Sequence, residues 1–237
     1  MSTERPRLTR DRVLAAAIAL ADSSGIDALS MRSLAADQGV VPMALYKHVA
    51  GKQELLDGMV DAVLTGLPPL PGGSEWRPRL RERILATRAT LLAHPWAPSV
   101  IETRTHASPI VLTYMDELMG IFRTGGFSAE LTHLAMHALG IRMWGFTREV
   151  FPTPATPADP EQRAAMLAQF QTQFPHIVEI ATATAGHPGS ETAGCDAQVE
   201  FEFSLDALLD GLALRLAEQK ASAANSARGR QRSASPR

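Results

Sequence analysis

The run from Ser30 to Val49, SMRSLAADQGVVPMALYKHV, constrains this chain more than any other stretch. Ser30 reads as a helix N-cap. The helix it opens runs through about Asp37 and turns Leu34 and Ala35 inward. Gly39 supplies the positive φ that a tight inter-helix turn wants. Pro42 falls in the first turn of the next helix, where its missing N–H does no harm. Two short helices joined by a glycine turn make a helix-turn-helix, whose second helix lies in the DNA major groove. From Val41 to Val49, Leu45, Val49 and part of Ala44 face inward. Val41, Pro42, Met43, Tyr46, Lys47 and His48 face outward.

Helical signals extend on both sides. Thr9 is an N-cap with Asp11 in the first turn, and Val13, Ala17, Leu20 and Ala21 recur at helical spacing until Gly25. A helix from Gly51–Lys52 carries the stripe Leu55, Leu56, Met59, Val60, Val63 and Leu64. It stops at GLPPLPGGS, residues 66–74, the clearest internal boundary. Beyond it, Trp76 to Leu92, Pro109 to Thr124, Ser128 to about Val150, Glu161 to Phe174, Pro175 to Thr184 and Phe203 to Glu218 read as helices. Leu80, Ile84, Leu85, Thr87, Leu91 and Leu92 are expected toward a core. Alanine and leucine are abundant and β-branched alternation is scarce, so the fold class is all-α. The expected organisation is residues 1–66 as an N-terminal arm and three-helix DNA-binding domain with its connecting helix, and 76–218 as a helical ligand-binding and dimerisation domain. Residues 219–237, without core formers, are expected to form a disordered basic tail.

Charge alone does not point to DNA. The formal net charge is −2, and a bulk basic excess is absent. The excess is local, where Arg5, Arg7, Arg10 and Arg12 crowd the N-terminus. The single cysteine, Cys195, rules out a disulfide or a cysteine metal site within one chain. No apolar signal core and no stretch near the ~20 apolar residues of a membrane span is present, so a cytoplasmic protein without membrane contact is expected.

Several of the outward residues have a chemistry suited to duplex DNA. Lys47 reaches phosphate or a guanine edge, Tyr46 and His48 donate to phosphate oxygens, and Met43 packs on a thymine methyl. Lys52, opening the next helix, suits a phosphate clamp. Arg32 is the candidate for a bidentate guanine contact. These features, with SMRSLA at 30–35, Gly39-Val40, LYKHV at 45–49, Gly51-Lys52 and ELLD at 54–57, give residues 9–64 a resemblance to the DNA-binding domain of the TetR family of bacterial transcriptional repressors. The family usually carries a polar residue, often serine or threonine, where Val41 stands. Valine can neither cap the helix nor bond a phosphate.

Residues 76–218 resemble the regulatory domain of the tetracycline-repressor branch, through GFSAE at 126–130 and FEFSLDALLDGL at 201–212. The resemblance implies a homodimer on a near-palindromic double-stranded operator, released by a small-molecule effector. In that branch the two corresponding helices form a four-helix bundle with their copies, a role that the apolar face Leu205, Leu208, Leu209, Leu212 and Leu216 suits. Arg104, His106, Tyr114, His137, Trp144 and Phe151 are the polar or aromatic candidates for an effector pocket. His133 and His137 stand one turn apart, but no glutamate lies between them, so no zinc-hydrolase motif, metal or cofactor is assigned. A ligand-free architectural DNA-binding protein and a helical metal-dependent enzyme are the competing readings. The large non-basic C-terminal part argues against the first. The lack of a nucleophile elbow, phosphate loop or cysteine–histidine signature argues against the second.

Overall fold

The computed structural model describes residues 7–70, 72–104, 106–145, 159–184 and 197–233. Among them the secondary structure is helical, with no strand. The chain divides into two compact units, Met1–Trp144 and Gly145–Arg237.

The first unit opens with a bundle of short helices. Helix α1 (Arg10–Ser24) starts at Thr9, whose Oγ1 accepts the Arg12 amide at 3.3 Å, and ends at Gly25 with φ 80°. Helix α2 (Met31–Asp37) has a reciprocal cap: the Ser33 amide donates to Ser30 Oγ at 3.0 Å, and the Ser30 amide to Ser33 Oγ at 2.9 Å. It closes in a Schellman turn, with the Val40 amide on Ala35 O at 2.9 Å and the Gly39 amide on Ala36 O at 3.1 Å. That closure needs the left-handed backbone of Gly39, φ 62°. Helix α3 is short, Pro42–Leu45. Its direction continues in turns, the His48 and Val49 amides both donating to Leu45 O. Helix α4 (Lys52–Thr65) follows.

One apolar core ties these helices together. Val13, Leu34, Leu45, Val49, Leu55 and Met59 are almost fully buried in it. The same core takes in Leu91 from α5 (Trp76–Ala93) and Trp96, Ala97 and Val100 at α6 (Ala97–Glu102). The segment HPWAPS thus does more than break a helix: it seats a tryptophan in the N-terminal bundle. Trp96 Nε1 donates to Asp22 at 2.6 Å, and His94 Nδ1 lies 2.9 Å from the same carboxylate. Leu92, expected inside, is 51% exposed, because Leu91 already occupies the inward position of that turn.

Helix α7 (Pro109–Thr124) is capped by Ser108 and ended by Gly125-Gly126, and α8 (Ala129–Gly145) follows. At their junction Trp76, Phe122 and Phe127 form an aromatic cluster with ring centroids 4.9–6.1 Å apart. A Cβ on Gly125 would stand 2.6 Å from Trp76 Cβ, which the two phenylalanines hold in place. Gly125→Ala is therefore expected to destabilise the protein by about 1–3 kcal/mol through overpacking, read as a lowered thermal midpoint.

The second unit contains α9 (Pro160–Gln173), α10 (Pro175–Thr184) and α11 (Ala197–Ser233). The α9 and α10 helices pack on each other. On α11, Phe201, Leu205, Leu209, Leu212 and Leu216 are buried along one face, while Phe203 and Leu214 are exposed. The helix also runs on to Ser233, through most of the tail expected to be disordered. Core formers are indeed missing there, but the alanine-rich ASAANSAR has high intrinsic helix propensity and simply extends α11.

Candidate nucleic-acid interface and effector cavity

The candidate DNA-contact face builds upward from Leu45 and Val49, which are sunk in the bundle core. With these two inside, helical geometry sends their neighbours out. Val41 is 68% exposed, Met43 70% and Tyr46 44%. Pro42 and Lys47 are exposed and His48 half-buried. Arg32 on α2 and Lys52 on α4 are exposed as well. Val41 occupies the cap position of α3 and makes no side-chain cap bond, as its hydrocarbon side chain dictates. At the start of α4 the Ala50 amide donates to Glu54 at 2.7 Å. Arg10 of α1 lies 3.7 Å from the same carboxylate. Glu54 thereby orients the helix end that carries Lys52. All eight residues predicted for DNA contact are outside the apolar core, on α2, the α3 segment and the first turn of α4.

A cavity of about 650 Å³ lies in the same unit. Helix α7 contributes Val111, Tyr114, Met115, Leu118 and Met119, spaced three and four residues apart on one stripe. Helix α8 contributes His133, Met136, His137, Leu139 and Gly140, and Leu64 and Ile101 close the wall. Among the described residues this wall holds no Lys, Arg, Asp or Glu. The His133 and His137 rings meet edge-to-face with centroids 4.6 Å apart. The described residues contain no cluster of three or more His, Cys, Asp or Glu suited to a metal ion.

Tyr114 anchors a buried polar network behind the wall. Thr87 Oγ1 donates to Arg83 O at 2.8 Å, which leaves its lone pairs to accept from the Tyr114 hydroxyl, 3.0 Å away. Burial pushes the phenol above its ordinary pKa, so it stays a neutral donor. Arg83 stacks over the Tyr114 ring at 5.3 Å and donates at 2.6 Å both to Glu117 and to the Pro68 carbonyl, just beyond α4.

The structure brings Tyr114 and His137 together and does not bring Arg104 or His106 to that cavity. Arg104, its side chain 7% exposed, lies 3.0 Å from Asp57 and 3.4 Å from Asp61, two acids one turn apart on α4. Ser108 donates to Asp61 at 2.5 Å. Arg104 is therefore a strut on α4, because two carboxylates offer a guanidinium far more than an apolar wall does. His106 is exposed. Trp144 belongs to the last turn of α8; its side chain, and Phe151, lie outside the described residues. Sequence reasoning missed Met115, Leu118, Met119 and Met136. Their helical spacing with Tyr114 and His137 was the available signal.

Residues 13–59 match the Bacterial regulatory proteins, tetR family, and residues 68–216 match the Tetracyclin repressor-like, C-terminal domain. The HTH-type transcriptional repressor DrrR1 of Streptomyces coeruleorubidus is 31% identical over 228 residues, 93% of this chain and 83% of that protein. The chain belongs to the tetR family. Among solved structures, apo ActR from Streptomyces coelicolor aligns with TM-score 0.68 at 27% identity, covering 90% of this chain and 98% of that one. ActR in complex with actinorhodin aligns with TM-score 0.66 at 28% identity, covering 88% and 96%. As a tetR-family member the protein is a DNA-binding transcriptional regulator whose partners are duplex DNA, a second copy of itself and a small-molecule effector. No described helix is long and apolar enough to cross a membrane.

Proposed function

We propose that this regulator is a cytoplasmic repressor, not an enzyme, that leaves its operator when a largely apolar small molecule fills the 650 Å³ cavity. Residues 1–66 bind DNA and residues 76–218 sense and dimerise. Tyr46, Lys47, His48 and Lys52 hold phosphates, Arg32 addresses a guanine edge, and Val41, Pro42 and Met43 meet bases. Tyr114, His133 and His137 give the effector its few polar contacts. Actinorhodin, with which ActR forms a solved complex, is the first compound to try.

One observation carries this reading: Leu64, in the last turn of α4, belongs to the core of the reading bundle and to the cavity wall at once. Helix α6 is shared the same way, with Val100 in the core and Ile101 on the wall. A ligand pressing on Leu64 and Ile101 displaces α4, and with it the spacing of two reading heads in a dimer. Its differential affinity for the two arrangements sets the extent of release.

The test is operator binding on a duplex selected from a random pool, followed across salt concentration. Lys52→Ala is expected to weaken binding and lower the salt slope by about 1 per subunit, and Tyr46→Ala to weaken it at every salt concentration. Gly140 lines the cavity and a Cβ there meets nothing within 4 Å, so Gly140→Phe is designed to occupy part of the effector's space. It is expected to keep DNA affinity and lose release by effector. Wild-type affinity in both DNA-face variants would sink the proposal.

A further inference from the structure

We infer that α3 reads its operator through methyl groups: Val41, Pro42 and Met43 select a half-site whose major groove presents thymine C5-methyls. This rests on the reading of α3 as the DNA-contacting helix and names the feature of DNA that it takes.

The leading residues of a second helix meet base edges, and later ones reach the backbone. Here the three leading exposed side chains contain no hydrogen-bonding group beyond the weakly accepting Met43 thioether. Pro42 also removes a backbone N–H. Val41 and Met43 are more than two-thirds exposed, and Tyr46 adds a third large apolar surface within six positions. Exposed apolar side chains at Val41, Met43 and Tyr46, concentrated in the same short segment as the exposed Lys47, mark a contact surface. The groove edges of adenine, guanine and cytosine carry donors and acceptors, and thymine adds the one apolar group, its methyl. Covering a donor or acceptor with Val41 or Met43 strips its water and returns no bond, which penalises the other bases. Covering a methyl removes apolar surface on both sides. Selection is therefore attractive toward thymine and repulsive toward the rest. The groups able to bond phosphate begin one turn later, at Tyr46, and fix register without specifying sequence. 5-Methylcytosine presents the same methyl beside an amino donor, so it is the second source of this chemistry.

The experiment uses full-length protein and a duplex selected from a random pool. Each thymine is replaced singly by deoxyuridine, which deletes only the methyl, and binding is followed by fluorescence anisotropy at fixed salt. Loss of one methyl contact is expected to weaken binding about three- to five-fold at one or two positions per half-site, and about ten- to twenty-fold for the symmetric pair. Val41→Ser and Met43→Gln, both surface changes checked by thermal melting, are expected to bind thymine and uracil duplexes alike at those positions. Uracil tolerated throughout a tightly bound duplex overturns the methyl inference and leaves α3 as the reading helix. Uracil tolerance with tighter binding of 5-methylcytosine duplexes overturns the thymine assignment. Unchanged affinity in Met43→Gln, Tyr46→Ala and Lys52→Ala together overturns both the inference and the reading beneath it.

Discussion

Leu45→Ala is expected to abolish operator binding and to destabilise the protein by about 2–5 kcal/mol, measured by chemical denaturation. Helix α3, the proposed reading helix, is four residues long and holds itself in place by few backbone bonds of its own. Helices this short are not stable in isolation, so packing supplies the order. Leu45 is the one residue of α3 buried completely, and it accepts the His48 and Val49 amides that carry the chain beyond the helix. Truncation opens a cavity in the core on which α3 rests. A modest loss of stability with full DNA affinity would contradict this account of how the reading face is held.

Glu117→Ala is expected to cost about 3 kcal/mol and to leave a protein that binds effector poorly. Arg83 is 6% exposed and its guanidinium has Glu117 as its carboxylate partner. Breaking a buried pair costs about 3–5 kcal/mol because a charge stays behind without compensation. The lower end applies here: the Glu117 side chain is 33% exposed, and the Pro68 carbonyl and Tyr114 ring still engage the cation. Arg83→Met combined with Glu117→Met removes both charges and is expected to recover most of the loss in denaturation, though not the position of Tyr114 on the cavity wall. Equal destabilisation of the single and double variants would show that the pair is not the source.

The helix-turn-helix was legible residue by residue. Ser30 caps, Gly39 turns, Pro42 starts, Leu45 and Val49 go in, and the predicted outward residues come out apart from the half-buried His48, because each step depends on neighbours within four positions. Helix boundaries near 25, 66, 94 and 125 followed from glycine and proline for the same reason. The effector cavity was only partly legible. Tyr114 and His137 stood out as polar groups on apolar faces, but the methionines around them look like any core residue until α7 and α8 face each other.

The sequence by itself determined the local code: caps, turns, the two faces of α3, and through them the family. Tertiary structure alone decided partners. Arg104, an apparent pocket residue, binds Asp57 and Asp61 more than forty positions earlier. Trp96, inside an apparent breaker, gives its indole N–H to Asp22 on α1. Leu64 turns out to serve core and cavity together. A periodic pattern says which side of a helix is apolar, but which other helix meets that side, and which distant charge a buried guanidinium finds, depends on how the packed faces come together across long separations in the chain.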